Sequence, residues 1–181
     1  MTKDIRKISK GIRTFNFIDF AGVIFATGKL LGYLQWTSHL IRKGTMPTEP
    51  FFSKVNLANS NIELSVTSYI VFAIAYIVVF GFILLGLYQL NQTTKLFAEQ
   101  KIFQEEVGVA FKKAGHSFLA FAFGTLIIDV ALLAWANTSS RIIDLLSTEL
   151  LVFMILGYLM FFLSDVFKEG ITIKEENELT I

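Results

Sequence analysis

Cysteine is absent from this 181-residue chain, which excludes disulfides, thiolate metal sites and a cysteine nucleophile while leaving the redox compartment open. Histidine is scarce. The two are His39 and His116, and the topology derived below sets them on opposite sides of a membrane, so no paired-histidine metal site can form within one chain. Charged residues make up only 17%, and 16 Lys+Arg against 15 Asp+Glu leave a formal charge of +1. That balance carries no basic footprint for nucleic acid, and direct nucleic-acid binding is not expected. HExxH, GxSxG and a phosphate-cradling glycine loop are missing, as is a carboxylate pair that would assign acid and base roles. The expectation is a protein that is not an enzyme, with no cofactor and no catalytic or metal-binding residues.

What is abundant is apolar length. Hydrophobic residues make up 54% of the chain, with 19 Phe among them, and they gather in four long stretches. A hydrocarbon core needs about 20 mostly apolar helical residues per crossing. The expected fold is therefore all-α, a polytopic transmembrane four-helix bundle with little left over for a soluble domain.

A basic segment, residues 1–14, precedes span one at residues 15–34, the most polar span because it holds Asp19 and Lys29. No small-residue cleavage pattern ends this span, which favours a retained signal-anchor helix over a cleaved signal. Residues 35–64 form the longest connection and contain both prolines, Pro47 and Pro50, with Ser60 or Asn61 placed to cap the next helix. Span two, residues 65–88, is the cleanest, because no charge occurs from Leu64 to Thr94. Span three covers residues 118–136 and is broken by Asp129; a short connection at 137–141 leads to span four at 142–164. The uncharged run from Leu150 to Ser164 is short for a crossing. Span four is thus expected to start near Ile142, with Glu149 facing protein, water or the headgroup boundary.

Counting basic side chains orients the bundle. Residues 1–14, 89–117 and 165–181 carry 5, 4 and 2 of them, whereas the other two connections carry Arg42, Lys43, Lys54 and Arg141. Under the positive-inside rule both termini and the middle connection are cytoplasmic. The expected location is an inner (cytoplasmic) membrane, N-in and C-in, in contact with membrane lipids.

In the connection at 89–117, Leu96, Phe103, Val107, Ala110 and Ala114 recur at spacings of three, four and seven, flanked by Phe97 and Phe111. This is helical periodicity. It predicts either an interfacial amphipathic helix or an extension of the flanking spans. In the tail, Ile171 and Ile173, then Leu179 and Ile181, alternate as strands do, with Glu176-Asn177 as a turn.

Charges within the spans are the candidate functional groups, since they are expensive unless paired, hydrated or snorkelling. Lys29 and Asp129 fall at comparable depths, and a structural ion pair between them is the first reading. A proton or ion pathway and an aqueous pocket are its rivals. Asp19 lies near the inner end of span one, within reach of the interface. Gly28 and Gly32 make a GxxxG step that Gly22 and Ala26 extend; such small residues permit close helix contact, either within the chain or along a homo-oligomer seam. Acidic Glu175, Glu176 and Glu178 gain nothing from an anionic leaflet and suit a solvated tail, a contact with the basic middle connection, or a soluble partner.

The segments KIFQEEVGVAFKKAGHSF before span three and DVFKEGITIKEENELTI after span four resemble the bacterial family catalogued as domain of unknown function 2975. Its members are small proteins of four predicted spans. The ending from Glu175 to Ile181 is the more specific piece. The resemblance implies a membrane component of a regulatory pair, partnered by a cytosolic helix-turn-helix regulator, and supplies no catalytic residue. Docking would then fall on Phe103, Phe111, Glu169, Glu175, Glu176, Asn177, Glu178, Leu179 and Ile181. The rival expectation is a small oligomeric transporter, channel or export accessory protein using Lys29 and Asp129.

Overall fold

A computed structural model of the chain describes residues 2–43, 66–135 and 148–179. Four long helices account for nearly all of these: α1 (Thr2–Lys43), α2 (Val66–Ala98), α3 (Glu105–Trp135) and α4 (Thr148–Leu179). Each contains a stretch long and apolar enough to cross a membrane. In hydrocarbon a chain must satisfy every backbone N–H and C=O internally, and a helix does so within one segment. Side-chain hydroxyls follow the same logic. Thr125 donates to the carbonyls of Phe121 and Ala122 at 3.1 and 2.9 Å, and Thr93 to Leu90 O at 2.7 Å. The protein is an all-α, membrane-spanning four-helix bundle.

The helices overrun the spans read from the sequence. At about 1.5 Å per residue, α1 is roughly 63 Å long, twice the hydrocarbon thickness, so residues 2–14 and 35–43 are helix rather than connection. The loop ending α2 is built locally. Gln100, at φ 62°, takes the left-handed conformation; its N–H donates to Phe97 O at 3.1 Å and the next, that of Lys101, to Leu96 O at 2.9 Å. These two bonds form a Schellman cap. Glu105 and Glu106 then open α3, where negative charge favours the helix N-terminus. No separate interfacial helix occurs here. Of the two expectations for this connection, extension of the flanking spans describes it.

The tail corrects an expectation. Residues 171–179 continue α4, with Lys174 and Glu178 paired one turn apart at 3.7 Å. Two short alternating pairs are weak strand signals beside a helix already running from the membrane, and elongating a helix costs far less than nucleating one. Ile181, the expected start near Ile142, and the proline and cap positions of the long connection lie outside the described residues.

Packing centres on α3, which lies against both α2 and α4, while α1 packs on α2. Two apolar cores result. One joins Tyr69, Ala73, Tyr76, Phe80 and Ile83 of α2 to Phe121, Ile128 and Leu132 of α3 and to Ala26 and Tyr33 of α1. The other, nearer the α2–α3 loop, is built from Leu90, Val107, Phe111, Ala114, Phe118 and Met160.

The backbones of α3 and α4 approach each other closely at a pair of glycines. A Cβ on Gly115 would stand 2.9 Å from Gly157 O, and one on Gly157 would stand 3.2 Å from Gly115 O. Two turns along, the Ser164 hydroxyl donates to Gly108 O at 2.8 Å. This is the small-residue crossing that membrane helices favour. It is not the row expected from the sequence. A Cβ at Gly28 or Gly32 would meet nothing within 4 Å, and one at Gly22 would meet Leu87 at 3.2 Å. Of the α1 row, Gly22 and Ala26 face the bundle, whereas Gly28 and Gly32 do not pack against another helix of the same chain among the described residues.

Candidate functional site

A polar cluster is buried in the first core, away from the loop end. Tyr69 and Tyr76 follow each other by seven residues on the inward stripe of α2, two turns apart on one face, and are buried almost completely. The Tyr76 hydroxyl donates to the carboxylate of Asp129 on α3. Its ring stacks on Tyr33 of α1, with centroids 5.7 Å apart and planes 6° from parallel. Tyr69 faces Thr37 of α1, whose hydroxyl donates to Tyr33 O at 2.8 Å. Glu149, in the first turn of α4, lies within electrostatic reach of Tyr33 and Tyr76. Every helix thus contributes a polar group. Phe80, Phe121 and Phe153 close the cluster from the side, in ring contacts of 5.4 Å and 4.5 Å.

Chemically this is a carboxylate held by a phenol in low dielectric. Removing charge from water is expensive, and a donor aimed at the carboxylate offsets part of that cost. Among the described residues no three of His, Asp and Glu gather to hold a metal.

The structure does not bring Lys29 to Asp129. Lys29 is exposed on α1, with its ammonium 5.6 Å from the centroid of Phe25, a residue of its own helix. Comparable depth placed the two charges in one layer but said nothing of rotation about each helix axis, and Asp129 is turned to the tyrosine. The spacing of Tyr69, Ala73, Tyr76, Phe80 and Ile83 marks the buried face of α2 and was the available signal for Tyr76.

At the loop end a second group forms. Phe111 stacks on Phe167 at 5.3 Å, Phe97 contacts both rings, and Phe103, half-exposed, reaches Phe167 at 6.5 Å. Phe103 and Phe111, candidates from the sequence, are thereby joined through Phe167. Gly170 lies beneath the Phe103 ring, with 3.0 Å between that ring and the place of a Cβ. Beyond this nest the tail leaves the bundle: Glu169, Glu175, Glu176, Asn177 and Glu178 are all exposed. Outside the membrane, the Lys101 ammonium pairs with Glu99 at 2.9 Å, which raises its pKa above the ordinary lysine value.

No curated protein and no solved structure matches the chain. A family model does, described as a protein of unknown function, DUF2975, over residues 52–181. The matched part takes in Tyr69, Tyr76, Asp129, Glu149, the aromatic nest and the tail, and leaves α1 outside. Since the match spans well over half of the sequence, this chain belongs to the DUF2975 family.

Proposed function

We propose that this is a non-enzymatic membrane protein that holds a soluble regulator at the end of the bundle carrying the α2–α3 loop and the helical tail. The observation that carries the reading is the tail itself. From Thr172 to Glu178 every side chain is exposed, while the aromatic nest fixes the helix at its base. A helix so presented offers a partner a preformed ligand, with its ordering cost already met. The excess of basic residues at this end supports a cytoplasmic face with both termini inside, and the family resemblance supports a bacterial inner membrane. The family resemblance suggests a helix-turn-helix protein as the regulator.

Affinity purification from the native membrane tests this, comparing the intact chain with one ending after Lys168. A soluble regulator recovered only with the intact tail is the expected result. Equal recovery of all partners from both chains rejects the reading.

The buried Tyr76–Asp129 bond favours a second reading, a small oligomeric transporter or channel with a polar path through the first core. Asp129→Asn in proteoliposomes tests it; flux unchanged in a folded variant counts against it.

A further inference from the structure

We infer that the groove between the first half of α1 and the end of α2 is a binding site for a zwitterionic aminophospholipid, the kind with an ethanolamine headgroup. The groove encloses about 450 Å³ and is lined by Asn16, Asp19, Phe20, Val23, Thr94 and Lys95, among others. Asp19 is more than nine-tenths buried, and its Oδ1 has no hydrogen-bond partner among the described residues. A buried carboxylate oxygen without a donor is costly, so the site lacks a donor that a ligand can bring. Across the same groove stands Lys95, an exposed cation in the last turn of α2.

Charge selects the occupant. An anionic lipid would suit Lys95 but would set its phosphate against Asp19. A headgroup carrying both signs satisfies both residues: its ammonium donates to the Asp19 carboxylate and its phosphate accepts from Lys95. The ammonium must have N–H donors, which disfavours a trimethylated headgroup. Depth selects a lipid over a soluble molecule of the same chemistry. Asp19 is seven residues, about 10 Å along the axis, from Ile12, where the membrane-length part of α1 begins. Lys95 lies three residues from the corresponding end of α2. Phe20 and Val23 continue the wall toward the hydrocarbon, where acyl chains belong. Neither Asp19 nor Lys95 takes part in the Tyr76 cluster or the tail.

Native mass spectrometry of the full chain tests the assignment, with ethanolamine, choline and glycerol phospholipids of identical acyl chains titrated in turn. The ethanolamine lipid should be retained about tenfold more tightly than either other lipid, the ratio expected of one charge-assisted hydrogen bond. Asp19→Asn should level ethanolamine with choline lipid, and Lys95→Gln should weaken retention of both. Lys95 is exposed, so that variant gives a result even if Asp19→Asn fails to fold. Equal retention of all three lipids by the unaltered chain would overturn the assignment, as would retention of the ethanolamine and choline lipids left undiminished by Lys95→Gln. Displacement by soluble phosphoethanolamine at the lipid's own concentration would overturn the choice of a lipid.

Discussion

Tyr76 and Asp129 form a hydrogen bond between α2 and α3 within the hydrocarbon-length part of the bundle. A buried acceptor that loses its donor bears its full desolvation cost, whereas removing both partners together is far milder. Tyr76→Phe should therefore destabilise the protein by about 1–3 kcal/mol, and Tyr76→Phe with Asp129→Leu should recover part of the loss. Reversible unfolding in detergent measures both. Equal destabilisation by the single and double variants would show that the bond does not couple the two helices.

The Gly115–Gly157 crossing leaves no room for a methyl group, because the obstructing atoms include backbone oxygens that cannot swing aside. Gly115→Ala should cost about 1–3 kcal/mol. Gly28→Ala and Gly32→Ala meet open space and should be neutral or stabilising by up to about 1 kcal/mol, the helix-propensity difference. The thermal transitions of the three variants in one detergent decide the matter. A loss at Gly28 or Gly32 as large as that at Gly115 would point to a seam between copies.

Gln100 holds a conformation that costs a residue with a Cβ about 1–2 kcal/mol. Gln100→Gly keeps the Schellman cap and removes that cost, so stability should rise by about 1 kcal/mol. Chemical denaturation of the two proteins checks this, and an unchanged midpoint would mean the strain is absorbed elsewhere.

Folding and docking should separate at the tail. Phe111 is buried in the aromatic nest, and Phe111→Ala should cost about 3 kcal/mol. Ending the chain after Lys168 removes mainly exposed side chains and should leave the transition temperature nearly unchanged. A truncation as damaging as Phe111→Ala would make the tail part of the fold, not a free ligand.

These contrasts also show what a linear reading can reach. The four helices were legible because apolar length is a one-dimensional property. Rotation is not. Residue counting sets Lys29 and Asp129 at comparable depths, yet each helix turns about 100° per residue, and only packing decides whether a side chain meets Tyr76 or Phe25. The Gly115–Gly157 crossing was hidden for a related reason: its two members belong to different spans, and no spacing rule joins them. Tyr76 could have been found, since the α2 stripe repeats at four and three. The tail misled because two short alternating pairs are a weak signal, while the helix they extend is a long one.

The tight connection at residues 99–104 bears on how the molecule comes together. Bringing the ends of a short segment into contact costs less entropy than closing a long one, and the Schellman cap fixes the direction in which the chain reverses. We infer a hierarchy in which α2 and α3 pair first, α4 closes on the Gly115 face, and α1, tethered through residues 44–65, docks last with Tyr33 against Tyr76. Cutting the chain between residues 44 and 65 should then yield two pieces that reassemble when co-expressed, the larger already folded by itself. Failure of the larger piece to resist protease would reverse that order. On that order the bundle is a three-helix body that α1 completes last, bringing Ala26 and Tyr33 into a core the other helices have already begun.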